Sequence, residues 1–443
     1  MPRRAYPAAP ARRSSLPTDV HKLRLDNGLT VLLCPRPSLK QAYAAIYFGV
    51  GSRHETPHDN GITHVLEHMV FRGSKSYPDA TSLNAAAESF GGYLEGATYR
   101  DHLLFATSCH PSALCDAVGI LGELVQTPRY RGMDIEKHIL REELLETLDR
   151  DGRMVDMDNI AHAAIFGHHS LGWPIEGTLP TIERLQRDEL EAHRLRYLVG
   201  HNAVLSLAGP LDRDQALLHV RRAFGKLTAG SPTACVAPPP RSAHGPKLRF
   251  VRNAGSQVDL RLSFHAVPVS DPEYPALVLL ARLLADGLAS RMHAELVDRR
   301  GLAYALHAGL TTYQDCGLFE FEVAVAPDKA AEAVAALLGF ARGASRLRFS
   351  PEERARTLRR FRYSMEFMED DAADLASWYG RAALFQIEAE VAALEARIRV
   401  LDLAQLHGAA RRFFRKEGLT LTAVGELARG EWKRVQALVT DWH

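Results

Sequence analysis

The sequence predicts an α+β fold made of two halves of similar plan. Strand and helix patterns interleave along the chain, a hairpin signal opens it, and a Pro/Gly-rich stretch separates two runs with the same order of elements.

The opening hairpin is carried by HKLRLDNGLTVLL (21–33), where Asp26-Asn27-Gly28 places a positive-φ turn between two alternating segments. A strand pattern follows at 43–50, then helices at 61–70 and 81–90, and a single strand at 93–107. Helical periodicity returns at 112–126 and 134–149. A loop rich in His, Gly and Pro (167–178) leads to a helix at 181–198, a strand at 203–209 and a helix at 213–224. AGSPTACVAPPPRSAHGP (229–246) has no hydrophobic period and reads as a linker. Beyond it come a strand (258–265), a long helix (273–298), strands (303–326) and a helix (328–343). Two long helices, a strand (418–424) and a final helix complete the pattern. The expected division is therefore a disordered tail at 1–18, a first domain at 19–228, the linker, and a second domain at 247–443. The tail carries Arg3, Arg4, Arg12 and Arg13 and no acidic residue, so a matrix-targeting presequence is its sharper reading, against which its prolines count.

Composition excludes several function classes. Lys plus Arg (54) nearly cancels Asp plus Glu (53), so no net field selects nucleic acid or an anionic membrane. No apolar run reaches the ~18 residues of a membrane helix and no secretory h-region is present, which makes a cytoplasmic location the expectation. Cys34, Cys109, Cys115, Cys235 and Cys316 form no CxxC pair, so a metal site must use His and carboxylates. Cys109 and Cys115 read as free thiols, His162, His168 and His169 as loop or packing residues, and Trp378 and Tyr379 as a helix face capped by Glu369-Asp370-Asp371.

Two metal motifs occur in the first half. His54-Glu55-Thr56-Pro57-His58 spells HExxH, but Pro57 disfavours helix at Thr56 and Asp59-Asn60-Gly61 makes a turn, so it is a decoy. His64-Val65-Leu66-Glu67-His68 spells the reverse, HxxEH, after Gly61 and free of breakers, with Asn60 or Thr63 able to cap. On a helix His64 and His68 stack one turn apart, as two imidazoles must to share one ion, and Glu67 projects beside them. Two satisfied histidines in a buried helix are the competing reading. A catalytic zinc takes a third protein ligand, and the helix at 134–149 offers Glu142, Glu143 and Glu146 among apolar residues pointing nearly all round. Such a helix is expected to be buried with at least one carboxylate. Periodicity does not choose among the three, and a solvated acidic face is the bland alternative.

THVLEHMVFRGS (63–74), GGYLEGATYRDHLLF (91–105) and HILREEL (138–144) together resemble the active-site helix, substrate strand and third-ligand helix of the inverzincin peptidases, the pitrilysin and mitochondrial processing peptidase family. HSLGWPIEGT (169–178), YLVGHNAVLSLAG (197–209) and GLASRMHAELVDRRGLAY (287–304) resemble its later blocks. The resemblance implies two homologous halves, each a mixed, mainly antiparallel sheet covered by helices, forming half of a clamshell. It implies Zn2+ held by His64, His68 and Glu142, the last because it directly follows HILR, with Glu67 as general base. It also implies a peptide or unfolded segment added as a strand along Leu94, Glu95, Gly96, Ala97 and Thr98.

Three departures from the family pattern stand out. Glu95-Gly96 replaces a usual Asn-Ala pair, and a carboxylate there either favours basic peptides or is an outward surface group. The accessory acidic position seven residues before Glu142 is Ile135, with Glu136 beside it. Of an Arg/Tyr pair that grips substrate, Tyr304 is present but Val297 occupies the Arg position. The expected function is thus a zinc metalloendopeptidase subunit, paired with a metal-free homologous chain supplying the Arg/Tyr pair, or with itself as a homodimer. A non-catalytic scaffold of the same fold is the alternative.

Overall fold

The computed structural model describes residues 20–234, 245–387 and 391–442. The expected tail at 1–18, Cys235 and most of the linker lie outside the described residues.

The strands are β1 (His21–Arg24), β2 (Thr30–Pro35), β3 (Ala42–Phe48), β4 (Leu94–Thr98), β5 (Leu103–Cys109), β6 (Ala203–Gly209), β7 (Lys247–Arg252), β8 (Val258–Ala266), β9 (Ala303–Thr312), β10 (Gly317–Val325) and β11 (Leu419–Gly425). First-half helices are α1 (Ile62–Val70), α2 (Ala80–Ser89), α3 (Leu114–Gln126), α4 (Met133–Glu146), α5 (Met157–Phe166), α6 (Leu179–Arg184), α7 (Arg187–Tyr197) and α8 (Arg213–Phe224). The second half holds α9 (Tyr274–Ala285), α10 (Arg291–His293), α11 (Ala330–Ala344), α12 (Pro351–Met368), α13 (Ala372–Leu384), α14 (Val391–Val400), α15 (Leu403–Phe413) and α16 (Glu431–Thr440).

The strands form a six-stranded sheet, β1-β2-β6-β3-β5-β4, and a five-stranded sheet, β7-β11-β8-β10-β9. β2 runs parallel to β6, and β6, β3, β5 and β4 then pair antiparallel in turn. The second sheet repeats this series strand for strand, parallel at β7/β11 and antiparallel thereafter. β4 and β9 are thus equivalent edge strands of two mixed, mainly antiparallel sheets.

The halves also exchange helices. Every residue of β3 is buried. Ala44, Ile46 and Phe48 pack with α1 and α3 in the first core, whereas Tyr43, Ala45 and Tyr47 pack against Leu375, Ala376 and Tyr379 of α13, from the second half. This two-sided burial explains why AYAAIYF is apolar throughout instead of alternating. Reciprocally, α5 packs on β7, β8 and β11. Its Asp158 joins Arg100 (2.6 Å) to Arg261 of β8 (2.9 Å). Arg53, fully buried, makes a two-pronged bond to Asp315 of the β9–β10 turn.

Several boundaries differ from expectation. The single strand at 93–107 is the hairpin β4–β5. The helix at 181–198 is α6 and α7, and the long helix at 273–298 ends at Ala285 before Gly287, whose φ of 88° lies in the left-handed region. α5 and β7 were not anticipated, and the region after 351 holds α12 to α15 rather than two helices.

Candidate active site

α1 begins at Gly61, whose φ of 95° is left-handed and which offers no side chain to cap the helix. The cap comes from Glu55, the acidic residue of the HExxH decoy. Its carboxylate accepts from the backbone N–H of Gly61 (2.7 Å) and Thr63 (3.0 Å) and from the Asn60 amide (2.9 Å). Neither Asn60 nor Thr63 caps; the Thr63 hydroxyl meets His193 Nε2 at 3.1 Å. Burial pushes the Glu55 carboxyl above its ordinary range, opposed by these donors.

On α1 the His64 and His68 rings stack edge to face, 4.6 Å between centroids. The carboxylate that meets them belongs to Glu143. Its Oε1 lies 3.5 Å from His64 Nε2 and its Oε2 lies 3.4 Å from His68 Nε2. Glu142, the expected third ligand, is exposed and lies off the buried stripe of α4. The reason is helical register. Glu136, Leu140 and Leu144 form the buried stripe of α4, and a residue seven positions after Glu136 returns to within about 20° of it, whereas Glu142 is about 120° away. The same correction removes an apparent departure from the family pattern. The acidic residue seven before Glu143 is Glu136, buried, with Oε1 2.9 Å from His68 Nδ1. The expectation that α4 is buried all round fails as well, because Ile135 (56%), Ile139 (46%) and Leu145 (40%) are exposed.

Glu67 projects from α1 toward β4. The Thr98 hydroxyl donates to its Oε2 at 3.4 Å, and Oε2 lies 4.0 Å from His64 Nε2. A Cβ on Gly96 would point at the Glu67 carboxylate and lie 2.6 Å from Phe71 Cε2, so any larger residue here would require the Glu67 side chain and Phe71 to shift. Gly96 and Thr98 therefore face α1. Glu95 points to the other face of the sheet, where its carboxylate accepts from the Tyr43 hydroxyl at 3.1 Å. Leu94 packs on the first core. Beyond β4 no described strand pairs, so the backbone edge of Leu94 to Thr98 is open.

The electrostatics differ at each group. Burial, with the neighbouring His68, lowers His64 to about 3, so it is neutral at physiological pH. Burial would lower His68 too, but the Glu136 bond and the charges of Glu67 and Glu143 outweigh it and raise it. Burial raises Glu67 to about 7, opposed by His68 and reinforced by Glu143. A carboxyl poised there exchanges a proton near neutrality. Glu143 is also raised, by burial first and then by Glu176, Glu146 and Glu136, against His68.

Ligand atoms of His64, Glu67 and His68 lie within 4.8 Å of one another, so Glu67 competes with Glu143 as the carboxylate ligand. Glu143 suits the part better, since its two oxygens reach both Nε2 atoms while Glu67 is engaged by Thr98. Two imidazoles and one carboxylate make a donor set that fits zinc, and the His68–Glu136 bond leaves the Nε2 of His68 facing the site.

Tyr304 stands on β9, 75% exposed, outside this group, and Val297 lies in the wide turn Ala294–Arg299. His162 is packed between Asp158 and the Tyr313 hydroxyl. Cys109 and Cys115 are free thiols, and Asp371 caps α13. No helix among the described residues is long and apolar enough to cross a membrane. Glu55 and Arg72 (which contacts Glu136) are participants that sequence reasoning did not place, and Glu143 was one of three candidates among which periodicity did not choose. The seven-residue interval from Glu136 to Glu143 is the signal that would have chosen Glu143.

Comparison with known proteins concerns family and fold. Residues 30–179 match the family described as Insulinase (Peptidase family M16), and residues 184–361 match the one described as Peptidase M16 inactive domain. An uncharacterized zinc protease of Streptomyces coelicolor is 30% identical over 314 residues, covering 68% of this chain and 66% of the relative, just under two thirds of its length. The mitochondrial-processing peptidase subunit beta of Blastocladiella emersonii is 29% identical over 318 residues, 67% of this chain and 64% of that one. The crystal structure of a protease from Helicobacter pylori shares the fold at a TM-score of 0.83 and 18% identity, covering 92% of this chain and 99% of that chain.

Proposed function

The chain belongs to the insulinase (M16) peptidase family, and on that premise we propose that it is the metal-bearing subunit of a zinc metalloendopeptidase acting on peptides or unstructured protein segments. The observation that carries the reading is one carboxylate, Glu143, within 3.5 Å of the Nε2 atoms of both His64 and His68, with Glu67 beside them.

His64, His68 and Glu143 would hold the ion. Bound zinc supplies Lewis acidity to water and to the scissile carbonyl. Glu67 takes the proton of the attacking water and delivers it to the leaving amine, a task matched by a carboxyl raised to about 7. Thr98 steadies Glu67 through Oε2, and Glu136 fixes the tautomer of His68 through Nδ1. The open edge of β4, Leu94 to Thr98, takes the peptide main chain as an added strand, the Gly96 and Thr98 face toward Glu67.

Val297 stands where an Arg would complete a pair with the exposed Tyr304, which favours a homologous metal-free chain as partner, or a second copy that tolerates Val297. Zinc content and cleavage of an unstructured peptide, measured for wild type and Glu67→Gln, test the chemistry. Zinc retained with cleavage lost is expected; zinc lost with Glu67 would make it a ligand and overturn its role as base. A zinc-free wild type would leave the scaffold reading. Full-rate cleavage by the purified chain as a monomer would overturn the partner.

A further inference from the structure

We infer that Arg72 is a positioning residue for the metal centre, a guanidinium clamp tying the end of the histidine helix to the start of the carboxylate helix. The inference rests on the zinc site proposed above.

Arg72 follows α1 directly, one residue past its C-cap Phe71. Its Nε lies 3.5 Å from Glu136 Oε2 and 3.5 Å from the carbonyl oxygen of Arg131, just before α4. α4 starts at Gly132, with φ of 68° and no side-chain cap. A Cβ at Gly132 would lie 3.0 Å from Arg72 Nη2, so the glycine leaves room for the guanidinium as well as making the turn. Arg72 thus fills the corner between the two ligand-bearing helices.

The chemistry at Glu136 shows what the clamp does. Glu136 is buried, its Oε1 is taken by His68 Nδ1, and its Oε2 has no hydrogen-bond partner among the described atoms. A ligating imidazole is neutral, so with His68 in that role Arg72 is the only described cation in contact with the buried Glu136 carboxylate. Arg72 holds the Glu136 carboxylate in its seat, Glu136 holds the His68 ring by Nδ1, and the Nε2 of His68 is thereby aimed at the Glu143 oxygen 3.4 Å away. No described polar contact joins the guanidinium to either imidazole, and it acts through Glu136.

The test is zinc affinity, read by competition with a chromophoric chelator, for wild type, Arg72→Met, Arg72→Lys, Glu136→Gln and the Arg72→Met/Glu136→Gln double variant. Loss of the hydrogen-bond partner of a ligating histidine typically weakens metal binding about 10- to 100-fold, and Arg72, one contact further out, is expected at the low end, about tenfold. Arg72→Lys keeps the charge and should recover part of the loss. In the Glu136→Gln background, removal of Arg72 should cost nothing further, a non-additivity that a merely structural role would not produce. Wild-type affinity in Arg72→Met, or losses that simply add, would overturn the clamp alone. Absence of zinc from the wild type would overturn the clamp and the site together.

Discussion

One position separates Glu142 from Glu143, and on a helix that is about 100° of rotation. Both follow the same four-residue block, so only the burial stripe through Glu136, Leu140 and Leu144 distinguishes them. Glu143→Gln should lower zinc affinity by roughly two orders of magnitude or more, since it removes an anionic ligand, while Glu142→Gln should leave it unchanged. Isothermal titration of the two variants decides, and the reverse pattern would restore Glu142. Glu67 gives a second residue-scale expectation. Its folded pKa of about 7 lies above the ordinary value near 4.5, so the unfolded chain ionises more readily. The Glu67 contribution to metal-free stability therefore falls as pH rises from 4.5 through 7, and its penalty is fully present above 7. It amounts to roughly 3 kcal/mol for a shift of this size. Glu67→Gln should raise the melting temperature of the metal-free protein at pH 8 and change it little at pH 4. Equal gains at both pH values would show that Glu67 is not held in this way. Glu67, the proposed general base, is then a residue the fold keeps at a cost in stability.

Elements differ in how far the sequence alone specifies them, and the differences follow from where the determining contacts lie. The β1–β2 hairpin and α1 were legible because local chemistry sets both, Asp26-Asn27-Gly28 in one and an uninterrupted apolar run after Gly61 in the other. The cap of α1 was not, because Glu55 reaches back from six residues upstream, out of a motif that looked like a failed metal site. The break between β4 and β5 was equally hidden. Tyr99-Arg100-Asp101-His102 contains no Gly or Pro, and the turn is held by tertiary contacts instead. The Arg100 guanidinium bonds the Leu171 carbonyl, Asp158 and Asn159, while His102 stacks on Tyr99 at 4.2 Å. α5 escaped detection because its packing partners are strands about ninety residues or more further along the chain. In the site, His64, Glu67 and His68 could be named from spacing, whereas the choice of Glu143 needed the orientation of α4 against α1.

At the scale of the whole chain, the sheets respect the expected division at 229–246 but the helices do not. α13 crosses to cover the outer face of the first sheet, burying Leu32, Cys34, Tyr43, Ala45 and Tyr47 with Leu375, Ala376 and Tyr379. α5 crosses the other way, and Arg53 and Asp158 bond into the second half. We therefore propose the division at 229–246 as a boundary between sheets rather than between independently folding units. Fully burying a large apolar side chain contributes about 1.5 to 3 kcal/mol. Stripping α13 from several such residues removes a sum comparable to the roughly 5 to 15 kcal/mol that stabilises a typical domain. Residues 19–228 produced alone, although they contain His64, Glu67, His68 and Glu143, should expose that face, bind a hydrophobic dye and fail to hold zinc stoichiometrically. Production together with residues 247–443 should restore zinc binding, because the second fragment returns α13 to its seat. A monodisperse 19–228 fragment that melts cooperatively and binds zinc as the full chain does would refute the exchange as a folding requirement. The metal site would then depend on the first sheet and its own helices alone.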